Sequence, residues 1–324
     1  ALRLRPAQRS KAERGYALFA GDLPEPVKAA PLALRPDMHP VSAFQAAALA
    51  CLVHLQANEG PATWPGEPAP LPDPEFVHQA RVALRRLRTG LRLFRPHLGT
   101  AWVAHWSAEW ASVAEVLGRV RNWDVLATEW LPGLLPGSAP GSPEQALHDW
   151  VHAQRQQAAR QAGEVLAAPA HALRTLAFMR AVLRLAPPSS PPAPDLARWS
   201  RDTLRHGHAR LRPQARRARH LGPEGRHDLR LALKRLRYTQ EFLASLLPPR
   251  RAARSTASLA DAQALLGELN DLSTALDLLA QAPAGLSPAV IGPLRAALQA
   301  RLDAGLPALP AMEQALERTP PPWR

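Results

Sequence analysis

The sequence predicts an all-α protein made of two similar helical bundles, and three observations carry that prediction. Strand signals are nearly absent, because Ala, Leu, Arg and Gln dominate and alternating β-branched residues are rare. Apolar residues recur at helical spacing over long stretches, separated by Pro- and Gly-rich breaks. Finally, VHQARVALRRLR (77–88) and RHDLRLALKRLR (226–237) read almost alike, with His78 and His227 149 positions apart. Leu117-Gly118 in VLGRVRNWD and Leu266-Gly267 in LLGELNDLS repeat the same offset. Two matches at one offset indicate a duplicated structural unit.

The periodicity places helices at about 40–58, 74–96, 99–131, 143–168, 170–186, 193–220, 224–247, 252–281, 286–304 and 306–317. Breaks fall at 60–74, 132–143, 187–194, 221–225 and 282–293. Proline, which lacks the N–H, and glycine, through backbone freedom, end helices there. About four helices per half implies a pair of bundles. The resulting organisation is a linker or tail of a preceding domain at 1–35, a first bundle at 36–186, a Pro-rich link at 187–194 and a second bundle at 195–324. Residues 1–35 carry scattered Pro and a basic cluster, SKAERGYAL (10–18), without sustained periodicity.

Composition narrows the function. The 324 residues are 46% hydrophobic, ample for a buried core, and carry a net charge of +13 supplied mostly by Arg. That balance favours a polyanionic partner: nucleic acid, an anionic membrane face or a phosphate polymer. Cys51 stands alone in an apolar helical stretch, which excludes a disulfide framework and makes it a small buried hydrophobe. No run approaches the roughly 18 apolar residues of a membrane span, and the N-terminus has no signal-peptide core. A cytoplasmic protein without membrane partners is the expectation.

The duplicated element is a line of cations. On a helix advancing 100° per residue, Arg81, Arg85, Arg88 and Arg92 fall within about 80° of His78. Ala80, Ala83, Leu84, Leu87, Leu91 and Phe94 take the opposite arc as a core stripe. The cations extend about 16 Å along the helix, and no acidic residue occurs between Phe76 and Leu98. Like charges stacked at i, i+4 cost a few tenths of a kcal/mol per pair. A face that served only solubility would mix the signs. The second copy places His227, Arg230, Lys234 and Arg237 on the matching arc, Tyr238 at its edge and Glu241 where the first copy has Arg92. Arg86 and Arg235 accompany the two stripes, and Arg119 and Arg121 add to the basic surface.

These residues resemble a known family. V-H-Q-x-R-V-x-x-R-R-L-R (77–88) and H-x-L-R-x-x-x-K-R-L-R-Y-x-x-E (227–241) look like the two signature helices of the CHAD domain, the conserved histidine α-helical domain. L-G-x-V-R-N-W-D-V and L-G-E-L-N-D match its following helices. The resemblance covers about residues 40–318, so 36–324 would together form one CHAD domain. It implies two four-helix bundles related by pseudo-two-fold symmetry around a basic groove that binds inorganic polyphosphate, often at polyphosphate granules. The residues it carries over are His78, Arg81, Arg85, Arg86, Arg88, His227, Arg230, Lys234, Arg235 and Arg237. One departure is Asn122, where the first-half pattern usually has Asp; the second half keeps Asp271, expected to orient an arginine. SKAERGYAL also resembles the end of a CYTH triphosphatase domain, although none of the CYTH glutamates is present.

Other candidates carry less. His148 and His152 sit one turn apart but lack a third ligand nearby in sequence, so no metal or cofactor is expected. His206 and His208 suggest nothing further. Trp102, Trp106 and Trp110 recur at helical spacing and read as core packing, and the glycines Gly118 and Gly267 as sites of close helix packing. Paired carboxylates on a cationic face, G-x-S-x-G and His-Asp metal patterns are absent, so a non-catalytic binding module is expected. Single-stranded nucleic-acid binders interleave aromatics with their cations, which these stripes lack apart from Tyr238. A nucleic-acid-binding protein is the rival reading, with an accessory module of a triphosphatase as a third.

Overall fold

The computed structural model describes residues 10–63, 70–187 and 195–323. It is all-α, and no strand occurs among the described residues. The helices are α1 (Lys11–Ala20), α2 (Pro40–Glu59), α3 (Pro74–Leu93), α4 (Arg95–Leu98), α5 (Thr100–Val125), α6 (Leu131–Leu134), α7 (Pro143–Ala167), α8 (Pro169–Leu183), α9 (Leu196–Ala215), α10 (Pro223–Phe242), α11 (Pro249–Leu279), α12 (Pro288–Gly305) and α13 (Leu309–Arg318). A π-helical stretch, Leu126–Trp130, follows α5 and divides what the sequence suggested was one helix.

The 149-residue offset recurs in the helix bounds. It carries Pro74 to Pro223 at the starts of α3 and α10, and Leu93 to Phe242 at their ends. It also carries Thr100 to Pro249 at the starts of the following long helices. Both signature helices begin with proline, whose missing N–H costs nothing in the first turn. Both are followed by a residue near the bridge region, Phe94 (φ −90°, ψ 6°) and Leu243 (φ −96°, ψ 5°). The N-caps differ: Asp73 accepts from the Glu75 N–H at 2.8 Å, whereas Gly222 brings no side chain.

Two compact units divide the chain differently from the sequence boundaries. One comprises the described residues of 1–31, 39–121 and 154–193; the other those of 32–38, 122–153 and 194–324. The Pro-rich link at 187–194 lies almost wholly outside the described residues.

Within the first unit, α2 packs along α3. Phe178 on α8 anchors an aromatic cluster, lying 4.9 Å from Trp106, 5.5 Å from Trp110 and 6.1 Å from Trp102. Trp102 in turn meets Phe44 edge-on at 5.8 Å, so the tryptophan run is core, as its spacing indicated. Gln45 donates to the Val182 and Leu185 carbonyls, satisfying the end of α8. Asn58, fully buried, holds the backbone of Val27 through both its N–H and its carbonyl. Helix α2 is long and apolar enough to pass as a membrane span, which corrects the expectation that no segment comes close. More than half of it is buried within the protein.

The second unit has a leucine core, with Leu229, Leu233, Leu236 and Leu243 on the core side of α10. Gln240 ties α10 to α11, donating to the Ala252 carbonyl and Thr256 and accepting from Ser255. Ser245 closes a two-way bond with the Leu34 backbone, at 2.9 Å in each direction.

One helix was not expected. The cluster at 10–18 folds as α1 because Ser10 and Glu13 form a capping box and Gly21 ends it in the left-handed region at φ 71°. Its Tyr16, Leu18 and Phe19 are exposed.

Candidate functional site: two cationic helix faces

In the first unit α3 displays the predicted stripe. Arg88 and Arg92 are exposed, and His78, Arg81 and Arg85 are half-buried. Partial burial, then the charges of Arg92 and Arg85, disfavour the charged form of Arg88, so both neighbours repel it. His78 is pushed below the ordinary histidine value, first by burial and then by Arg121, Arg85 and Arg81; Glu75 partly opposes this. Arg121, on α5, is therefore close enough to join this field. Arg119 is exposed and pairs with Glu115 one turn before it at 3.1 Å, an ordinary surface pair.

Arg81 lies directly over α5. A Cβ added at Gly118 would come within 2.7 Å of Arg81 Nη1. Gly118 thus makes room for an arginine head, whereas Gly267 has nothing within 4 Å and does not serve the close packing its sequence position suggested.

Arg86 departs from the stripe. It is only 8% exposed and reaches the Cys51 thiol on α2. The helical geometry explains this: Arg86 falls about 80° from His78 on the side away from the cations, beside Gln79. Gln79 faces α2 as well, bonding His54 at 3.1 Å. Arg86 is thus a core-flank residue rather than part of the exposed face.

In the second unit α10 carries the corresponding residues in a different setting. His227 is exposed and donates through Nδ1 to Asn270 Oδ1 at 2.8 Å. Arg230 meets Asp271 at 3.4 Å, the role expected of that carboxylate. Arg237 donates to Glu241 at 2.6 Å and to Gln263 at 2.8 Å, with its guanidinium 4.7 Å from the Tyr238 ring centre. Lys234 is 6% exposed, and Arg235 is exposed, donating to the Leu231 carbonyl. Tyr238 is 2% exposed, so it belongs to the core and not to the edge of the stripe.

Asn270 and Gln263 were not singled out from sequence. The offset points to the first of them, since Asn270 is the repeat counterpart of Arg121. Of the two histidines considered as metal ligands, His148 bonds the Leu135 carbonyl at 3.3 Å. Among the described residues no three His, Cys, Asp or Glu side chains gather closely enough to hold a metal ion.

What these faces can do is bind anions. Arg offers a rigid fork to two phosphate oxygens, and a row of them on one helix meets a row of charges.

Comparison with known proteins agrees with the fold. A family model described as the CHAD domain matches residues 46–280. The crystal structure of the CHAD domain from the plant Ricinus communis is similar, with a TM-score of 0.77 and 28% identity, over 92% of this chain and 98% of that one. PptA from Streptomyces chartreusis is similar with a TM-score of 0.61 and 18% identity, over 87% of this chain and all of that one (100%), a likeness of fold alone. No curated protein matches the chain.

Proposed function

The chain belongs to the CHAD family, and from that premise we propose that it is a non-catalytic module that binds inorganic polyphosphate through its repeated cationic helices. The observation that carries the reading is the line Arg81, Arg85, Arg88 and Arg92 on α3, uninterrupted by any acid or any aromatic that could stack on a base. Polyphosphate has a negative charge on every unit and no bases to read, so a ladder of guanidinium groups suffices to recognise it. Binding releases counterions and weakens with salt, with a log–log slope set by the number of phosphates neutralised. Residence at polyphosphate granules in the cytoplasm follows from the same reading, as does tolerance of other polyanions. The likeness of SKAERGYAL to the end of a CYTH domain extends it to an accessory role beside a triphosphatase. That extension rests on those residues alone.

The test is competition at near-physiological salt among long-chain polyphosphate, duplex DNA, single-stranded RNA and ATP for the labelled protein. Polyphosphate should win at equal charge concentration. Duplex DNA displacing it at comparable charge would transfer the cationic faces to the nucleic-acid reading. Arg85→Glu should abolish binding and leave the helical circular dichroism unchanged.

A further inference from the structure

The two repeats are alike in their cations and unlike in what surrounds them. On α10, Arg230 is held by Asp271 and Arg237 by Glu241. The 149-residue offset places Asn122 opposite Asp271 and Arg92 opposite Glu241, so the first repeat has an amide and a further cation where the second has two carboxylates. At the second of these positions the interaction felt by the arginine changes sign. Arg237 has a carboxylate partner one turn away at 2.6 Å. Arg88, its repeat counterpart, has at the same spacing the repulsive charge of Arg92. The α5 and α11 faces differ in the same direction, because Arg121, which adds to the field at His78, corresponds to the neutral Asn270.

A polyanion approaching α10 must displace or share the carboxylates on Arg230 and Arg237, and it meets their repulsion. One approaching α3 relieves a repulsion that folding left in place. Both effects act within about a Debye length of 8–10 Å, so each helix feels its own neighbours most.

We infer that the repeats are functionally unequal: the α3 face is the anchoring surface for phosphate oxyanions, and on the α10 face Arg230 and Arg237 are each offset by a carboxylate, Asp271 and Glu241. This inference rests on the polyphosphate reading. It goes further by assigning the binding to one repeat and by giving the two carboxylates an antagonistic role.

Exchanging the repeat counterparts tests it. Arg92→Glu writes the second repeat's intrahelical ion pair into α3. Glu241→Arg writes the first repeat's repulsive pair into α10. Arg295→Glu, an exposed arginine on α12, makes the same change in net charge as Arg92→Glu and serves as its control. Polyphosphate affinity and its salt slope are measured for all three, with circular dichroism to verify folding. The expected results are a loss of at least tenfold for Arg92→Glu, with a slope shallower by roughly one to two contacts, and at most a threefold loss for Arg295→Glu. Glu241→Arg should tighten binding several-fold, and Asp271→Asn should act in the same direction. Equal losses for Arg92→Glu and Arg295→Glu, or unchanged affinity in both carboxylate variants, overturn the inference while polyphosphate binding stands. An unmodified protein that ignores polyphosphate at physiological salt sinks the functional reading itself, and this inference with it.

Discussion

Arg81 Nη1 occupies the space that a side chain on Gly118 would need, 2.7 Å from where its Cβ would stand. The relationship joins the two motifs that first revealed the repeat, the cationic helix and the Leu-Gly pair of the helix that follows. It does not recur at Gly267, where nothing lies within 4 Å. Equivalent glycines therefore have different duties, and the difference is measurable. Gly118→Ala should cost little stability, because the clash is with the end of a flexible side chain, but it should displace Arg81 and weaken polyphosphate binding several-fold. Gly267→Ala should leave binding intact and stabilise α11 by up to about 1 kcal/mol, the helix-propensity difference between the two residues. Urea unfolding and a binding isotherm on each variant decide it. Similar binding losses for the two would show that Arg81 gains nothing from Gly118.

How much of this was legible in sequence depended on where the information lay. Helix positions, the core stripe of α3 and the burial of Cys51 follow from periodicity, which is local. The burial of Arg86 was legible in principle, since its angle places it off the cationic arc. Its place among the expected ligands came from the CHAD resemblance, not from the helical projection. Tyr238 and Lys234 were not legible, because helical projection puts both on the cationic arc of α10, within about 20° of His227, and yet both are buried. Helix α1 was missed for a different reason: its signal is a capping box on a short segment with no buried residues. The resemblance to the CHAD family supplied the phosphate polymer; charge composition alone left nucleic acid equally open.

The pH dependence of binding follows from His78. Its neutral form is favoured in the free protein by burial and by Arg121, Arg85 and Arg81, which hold it below the ordinary value of 6.5. A bound polyanion favours the imidazolium, so binding takes up a proton, and affinity should rise as pH falls from 8 to 6. Isothermal titration in two buffers of different ionisation enthalpy measures the uptake directly. His78→Gln should reduce it. A protein that binds equally well at both ends of that range, without proton uptake, removes the histidine from the electrostatic account.

Arg86 and Cys51 make a separate prediction inside the first unit. Burial pushes the Cys51 thiol up to about 11 despite the nearby Arg86 charge, which works in the opposite direction. The thiolate is the reactive form, so native protein at pH 8 should resist alkylation by iodoacetamide and react only on unfolding. Neighbouring arginines should also separate by assay. Arg85→Gln should lower the salt slope of polyphosphate binding by somewhat less than one. Arg86→Ala should leave that slope alone and cost on the order of 1–3 kcal/mol of stability. A slope that falls with Arg86→Ala would return Arg86 to the binding surface, and rapid alkylation of the folded protein would overturn the burial of the Cys51 thiol.

His208 should make the second unit sensitive to acid. Its ring packs edge-on against Trp323 with centroids 5.1 Å apart, and its Nε2 is buried without a hydrogen-bond partner. Burial, more than the nearby Arg212 charge, brings it down to about 4, although a bond with Gln240 pulls the other way. In the unfolded chain the same ring titrates near 6.5. Between those values the unfolded state holds a proton that the folded state lacks, so stability is complete above pH 6.5, falls as pH drops toward 4 and levels off below it. The loss from this one group is at most about 3 kcal/mol. His208→Leu keeps a similar volume and cannot be protonated. Urea unfolding at pH 7.5 and 4.5 should therefore show a smaller loss in the variant than in the unmodified protein. His54, His78 and His97, all held below the ordinary value as well, contribute equally to both proteins and cancel in the comparison. Parallel losses in the two would mean that His208 finds a partner or solvent when it is protonated, and that the acid sensitivity lies elsewhere.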